Sequence, residues 1–169
     1  VDAVQAIRRR ELLRLAMADL LGHANREAVG KGLTDITDAT VGAVLEIARR
    51  EVEGSPSIAV IACGSWGGSE MSYGSDADGM FVVDDTVDAD GMKRAIAVVA
   101  RLRALLKLGG DDASLLFDPD LRPEGKEGPL VRTLSAYRTY YERWSATWEA
   151  QALLRADAGA GDPELAAKF

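Results

Sequence analysis

At 169 residues and 47% hydrophobic content, the chain is long enough to bury a core and reads as one domain with a helical flank. A formal net charge of -7 argues against a nucleic-acid partner, which needs a basic face, and therefore against templated polymerase activity. The single cysteine, Cys63, excludes an internal disulfide, no apolar run approaches the ~20 residues that span a membrane, and the expected compartment is the cytoplasm.

Apolar spacing predicts a first helix from Val4 to Leu21, stopping at Gly22. Thr34 reads as the N-cap of a second helix to about Glu53, with Ile36, Thr40, Val41, Val44, Ile47 and Ala48 on one side, and Gly54-Ser55-Pro56 ends it. Ser57 to Cys63 and Ala77 to Val83 are short apolar runs with β-branched residues and predict two strands. Asp88 or Asp90 opens a helix in which Met92, Ile96, Val99, Arg103 and Leu106 share a face, ending at Gly109-Gly110. Ala113 to Phe117 predicts a third strand and Pro129 to Thr133 a fourth. Ser135 caps a long helix to about Ala156, whose Tyr137, Tyr141, Trp144 and Trp148 recur at helical spacing and are expected to pack on the sheet. Gly159 to Pro163 reads as a turn before a last short helix.

The expected architecture is α+β, a mixed twisted sheet flanked by helices. Residues 1–53 form an N-terminal helical flank, 54–134 a sheet core with one helix, and 135–169 a C-terminal helix leading into a following helical region. A start at Val1 and an end still helical at Ala166-Ala167-Lys168-Phe169 are what a piece of a longer polypeptide would have.

Between the first two predicted strands the chain reads Gly64-Ser65-Trp66-Gly67-Gly68-Ser69-Glu70-Met71-Ser72-Tyr73-Gly74-Ser75-Asp76-Ala77-Asp78. The glycines allow a tight approach of backbone to ligand, leaving N–H groups free to face phosphate oxygens, with the Ser65 and Ser75 hydroxyls beside them. Residues i and i+2 of a strand share a face, so Asp76 and Asp78 project side by side and repel unless a hard cation such as magnesium sits between them. Asp118, at the end of the third strand, would complete the site as a further metal ligand or as the base for an attacking hydroxyl. Arg122 offers a fork of donors to phosphate or carboxylate. Taken alone, an Asp-x-Asp is ordinary turn chemistry and Arg122 an ordinary surface partner of Glu124 or Asp120. Joined to the glycine turn and Asp118, the pattern points to Mg-nucleotide chemistry, with Gly64, Ser65, Gly67, Gly68, Ser75 and Arg122 on the nucleotide and Asp76, Asp78 and Asp118 on the metal.

Gly64-Ser65, ten intervening residues and Asp76-Ala77-Asp78 resemble the signature of the DNA-polymerase-β-like nucleotidyltransferases. The strings Tyr73-Gly74-Ser75-Asp76-Ala77-Asp78, Leu121-Arg122-Pro123-Glu124-Gly125, Gly128-Pro129-Leu130-Val131 and Thr147-Trp148-Glu149-x-Gln151-Ala152-Leu153 resemble the glutamine synthetase adenylyltransferase family in its actinobacterial form. The resemblance implies a polymerase-β-like fold, ATP as substrate, Mg2+ as cofactor and transfer of AMP to a tyrosine of glutamine synthetase, with a PII-type regulator acting through other parts of the full polypeptide. Such proteins carry two homologous halves, and Tyr73 to Asp78 with Ala150 to Arg155 look more like the adenylylating one. The alternatives are the phosphorolytic, adenylyl-removing half and a degenerate half that only binds glutamine synthetase or a regulator. Against the family pattern, Ser65 stands where a basic residue is usual, Asp120 and Asp157 where arginine occurs, and Gly79 where an aliphatic residue is usual. These departures bear on nucleotide affinity more than on the fold.

Overall fold

The structure is a computed structural model that describes residues 1–107 and 115–169. The expected helix stop at Gly109-Gly110 and the start of the third strand at Ala113 lie outside the described residues. In chain order the elements are α1 (Asp2–Leu20), α2 (Arg26–Glu51), β1 (Ala59–Ala62), a single turn α3 (Gly64–Gly67), β2 (Ala77–Val83), α4 (Ala89–Leu106), β3 (Phe117–Asp118), β4 (Val131–Thr133), α5 (Leu134–Arg143), α6 (Thr147–Leu153), β5 (Asp157–Gly161) and α7 (Pro163–Lys168).

Strand β1 is central and pairs antiparallel with β2 on one side and β5 on the other. The far edge of β2 carries β3 beside Ala77 and Asp78 and β4 beside Phe81 to Val83, both parallel to it. The sheet is therefore mixed, and helices cover both of its faces. Val60, Ala62, Ala77, Phe81 and Val83 join a core with α2 and α4, whereas Ala59, Ile61, Cys63, Met80 and Val82 meet Tyr137 of α5 and Leu165 of α7. Burial on both faces explains why β1 reads as an unbroken apolar run instead of an alternating one. Among the described residues no helix is long and apolar enough to cross a membrane.

Several expectations are corrected. The second helix starts at Arg26, not after Thr34: the Asn25 side chain accepts from the Ala28 N–H at 2.8 Å, and Thr34 lies buried inside the helix. Two glycines inside the added turns are packing positions, since a Cβ on Gly32 would touch Leu15 of α1 at 3.0 Å and one on Gly30 the Ser69 carbonyl at 3.2 Å. The buried stripe of α4 is Ala95, Val98, Val99, Leu102, Leu105 and Leu106, and Ile96 faces outward. Asp88, the first of its two candidate caps, accepts from Gly91 N at 2.6 Å.

The single long C-terminal helix is two. Thr133, not Ser135, caps α5, and the buried Glu149 reaches back to accept from Ala146 N at 2.7 Å and from the Tyr140 hydroxyl at 2.8 Å, which starts α6 afresh. The break turns Trp144 and Trp148 outward, to 65% and 54% exposure, so only Tyr137 and the partly buried Tyr141 pack as expected. The Gly159–Pro163 turn is largely strand β5, invisible to propensity because it is built of Asp157, Ala158, Gly159, Ala160 and Gly161.

Small residues are needed there because of Trp66. Its indole is buried, and a Cβ on Gly159 would lie 2.7 Å from it, while one on Gly79 would lie 3.0 Å from it and 2.9 Å from the Phe117 ring. Gly79, the departure that propensity reads as a weak point, is the seat of this aromatic cluster, in which Trp66 meets Phe117 edge-on at 6.0 Å and Phe117 stacks on Phe81 at 5.1 Å. Gly79→Ala should therefore lower stability by about 1–3 kcal/mol through overpacking, measured by urea unfolding. Gly74→Ala, at a position with open space around it, should stay within about 0.5 kcal/mol of the parent.

Candidate active site

Strand β1 leaves the sheet at Cys63, whose extended backbone (φ -129°, ψ 179°) leads into Gly64 at φ +57°. Glycine is required here twice over: the dihedral is left-handed, and a side chain would run into the Asp78 carboxylate. The chain then makes one helical turn, with Gly67 N bonded to Cys63 O at 2.9 Å and Gly68 N to Gly64 O at 3.2 Å. Those two amides are consumed by the turn, and Gly67 is held against the carbonyls of Ala62 and Arg155, where no Cβ fits. Gly67 and Gly68 thus give the turn its shape, while the N–H groups of Gly64, Ser65 and Trp66, in the first turn of α3, have no intrahelical acceptor. Trp66 fixes the turn from below, donating its indole N–H to Asp38 of α2 at 2.6 Å. Burial raises the Asp38 carboxyl, and the indole bond opposes that rise.

The carboxylates meet through strand pairing. Cys63 N donates to Asp78 O at 2.8 Å, and Asp78 stands opposite Asp118 in the parallel β2–β3 register, so both side chains leave the same face of the sheet. Asp78 is half-buried, and its pKa is pushed up to about 6, by burial first, then by the charges of Asp118 and Asp76. Asp118 Oδ1 accepts from Asp120 N at 2.8 Å, which orients the carboxyl and leaves Oδ2 for other partners. Cys63 is buried among these groups, its thiol pushed up to about 12 by burial and by Asp78, so it packs as an inert hydrophobe.

The remaining expected residues take different places. Arg122 does not offer a free fork: it is buried, with Nε on Gly128 O at 3.1 Å, Nη1 on Pro119 O at 3.0 Å and on Asp120 Oδ1 at 3.1 Å, and Nη2 on Lys126 O at 3.0 Å. It braces the loop that follows Asp118. Ser75 Oγ accepts from Ser72 N at 2.9 Å within an exposed turn, and Ser65 sits on the first turn of α3. Tyr73 is exposed and its hydroxyl reaches Asp19 of α1 at 3.3 Å, away from the carboxylates.

A cavity of about 260 Å³ opens beside Asp76 and Asp118 and is lined also by Arg103 of α4 and Lys107 just past its end. Pockets that enclose a whole small molecule run to ~300–1,000 Å³, so this one fits part of a ligand. A larger cavity, about 630 Å³ between Glu124, Arg132, Tyr140 and Trp144, is lined by none of the three aspartates. Among the described residues no three acidic, histidine or cysteine side chains form a finished metal cage. The oxygen-only donor set nonetheless suits magnesium, which commonly takes one or two carboxylates and completes its shell with water and substrate phosphate. Asp78 sits beside the charges of Asp118 and Asp76 with no ion pair of its own among the described residues, which fits such a guest.

The model of the glutamate-ammonia ligase adenylyltransferase family matches residues 1–169, the whole chain. This chain belongs to that family. It is 50% identical over 165 residues to the bifunctional glutamine synthetase adenylyltransferase/adenylyl-removing enzyme of Cutibacterium acnes, covering 98% of this chain and 17% of that protein. The proteins of the same name from Streptomyces coelicolor and Mycobacterium tuberculosis (strain CDC 1551 / Oshkosh) are 43% and 44% identical over the entire chain, which spans 19% and 18% of their lengths. The chain thus covers under a fifth of these adenylyltransferase relatives. The resemblance drawn from the motif strings is borne out at the level of the family. Sequence reasoning missed two residues that shape the glycine turn, Trp66 and Arg155, although both lie inside the motif strings.

The raised Asp78 carboxyl has a consequence for stability. A carboxyl that binds its proton more tightly folded (about 6) than at its ordinary 3.8 burdens folding only when ionised. That burden is absent below about pH 4, grows through the window between the two values and is complete above about pH 6. Asp78→Asn should be more stable than the parent at neutral pH, by about 1 kcal/mol after solvent screening of a half-exposed group, with the gain vanishing near pH 4. Urea unfolding across that range checks it.

Proposed function

We propose that this chain is a polymerase-β-like nucleotidyltransferase half that transfers AMP from ATP to a tyrosine of glutamine synthetase, with residues 54–134 as its catalytic core. The observation that carries the reading is the seating of Gly64 directly against Asp78 with Asp118 in register beside it, so that a backbone able to approach phosphate and an acidic cluster share one corner of the sheet. The names of the relatives supply the reaction and the protein substrate. The Tyr73 to Asp78 and Ala150 to Arg155 strings favour the adenylylating over the adenylyl-removing direction.

In this reading the N–H groups of Gly64, Ser65 and Trp66 and the Ser65 hydroxyl face the triphosphate. Asp76 and Asp78 would hold magnesium arriving with ATP, whose chemistry is to screen the phosphates and polarise the bond to the leaving pyrophosphate. Asp118, oriented through Oδ1 by the Asp120 amide, presents Oδ2 to the incoming tyrosine hydroxyl and accepts its proton, lowering the cost of forming phenolate from a group of pKa about 10. Arg122 keeps the loop beyond Asp118 in place. Trp66 holds the phosphate-facing turn at a fixed height above the sheet.

Calorimetric titration with ATP and magnesium, beside a double variant carrying Asp76→Asn and Asp78→Asn, tests the site. Binding by the parent and a loss of at least about tenfold in the double variant are expected. Incubation with glutamine synthetase and labelled ATP should then move label onto a tyrosine, with pyrophosphate as co-product. Formation of ADP from adenylylated glutamine synthetase and phosphate, without forward transfer, would assign the opposite direction. A folded parent that binds no nucleotide would sink the catalytic reading.

A further inference from the structure

The glycine turn lacks a basic residue of its own, since Ser65 follows Gly64 and Arg122 is spent inside its loop. A cation nevertheless lies over it, from a remote part of the chain. Arg155 follows α6 and precedes β5, and its main-chain carbonyl is the surface on which Gly67 packs. Its side chain runs across Gly68, where a Cβ would meet Arg155 Cδ at 3.4 Å and Cγ at 3.8 Å. The guanidinium is exposed, and Nη1 pairs with Glu70 Oε2 at 2.9 Å, Glu70 itself being exposed at the end of the same glycine segment. Gly68 is bonded to Gly64, and Gly64 abuts Asp78. The Asp78 carboxylate and the Arg155 stem therefore flank the two ends of one helical turn, a rise of about 5 Å.

We propose that Arg155 is the phosphate-binding cation of this site, held in reserve by Glu70 and handed over to the polyphosphate tail of the nucleotide. This rests on the nucleotidyltransferase reading and adds to it the residue that replaces the missing basic group of the turn. The geometry supports a transfer of partners. Both side chains of the ion pair are more than half exposed, so neither is locked by packing, and an exposed pair of this kind contributes little to stability. A planar guanidinium offers paired donors to phosphate oxygens, whereas the Glu70 carboxylate repels them. The close backbone contact of Gly67 with the Arg155 carbonyl fixes where the arginine starts, while its exposed end can swing. Binding of the tail breaks one ion pair and forms another, and no covalent bond changes.

A structural staple and a reserve cation predict opposite results when Glu70 is altered. The 169-residue chain and its Arg155→Ala and Glu70→Gln variants are titrated calorimetrically with Mg-ATP and, separately, with inorganic tripolyphosphate without metal, with urea unfolding of each as a check on folding. Arg155→Ala should weaken both ligands about tenfold, the worth of a charge-assisted contact. Glu70→Gln, which frees the arginine and removes a competing anion, should tighten both about two- to fivefold. If both variants weaken binding, or Arg155→Ala leaves it unchanged, Arg155 only braces the loop and the proposal falls while the nucleotide reading stands. Arg155-dependent binding of tripolyphosphate without any binding of Mg-ATP would sustain the phosphate site and overturn the nucleotide reading. Failure of the parent and of Glu70→Gln to bind either ligand would overturn both.

Discussion

The indole of Trp66, wedged between the bare backbones of Gly79 and Gly159, is the contact from which the candidate site takes its shape. It belongs to the glycine turn, yet its ring lies in the core between β2 and β5, the strands that flank β1, and its N–H is anchored on α2 through Asp38. A glycine-rich segment has little of its own to hold it, and the entropy of ordering such backbone is high. Burying one large aromatic in the middle of that segment offsets the cost and ties the turn to the sheet and a helix at once. In the same turn Gly64 lies against Asp78 and Gly67 against the Arg155 and Ala62 carbonyls. The first-turn amides of α3 and the Asp78 and Asp118 side chains are thereby held at one corner of the sheet.

Electrostatically, the corner of the sheet that carries Asp76, Asp78 and Asp118 is unfavourable by itself. Asp78 resists ionisation because it is half-buried and has two acidic neighbours. Groups perturbed in this way cluster where a protein does chemistry, since the same arrangement becomes favourable when a cation or a cationic complex arrives. The arginines around the site divide the labour by exposure. Arg122 is turned inward and satisfied by carbonyls of the loop beyond Asp118, so it acts on the site through backbone placement. Arg155 is turned outward with an exposed partner, so it retains the freedom to exchange that partner. A guanidinium can serve as a buried brace or as an anion hook, and only its surroundings decide which.

Strands β1 and β2 and the order of the chemistry-bearing residues were legible because they rest on local signals. The β-branched run before Cys63, the apolar stretch after Asp76 and the spacing of the aspartates need no tertiary information. Helix boundaries were less legible where a competing signal intervened. The start of α2 was misplaced because Thr34 is a cap residue by propensity, although it lies buried inside the helix. The aromatic periodicity of the C-terminal region suggested one helix, but the buried Glu149 starts a second one by satisfying the Ala146 amide and the Tyr140 hydroxyl together. Strand β5 could not be read at all, since its alanines and glycines are chosen by the Trp66 ring and not by the preference of the strand.

By itself the sequence determined the α+β class, the acidic balance that disfavours nucleic acid, the family, and the glycine-then-aspartate layout, because each depends on composition or on near neighbours along the chain. Tertiary structure alone decided that Asp118 stands beside Asp78, that Arg122 faces inward, that Arg155 lies over the glycine turn, and that Gly79 is a seat for aromatic rings instead of a weak point. Those outcomes turn on which strands pair and which side chains share a volume. They are relations between residues far apart in the chain, and no local propensity encodes them.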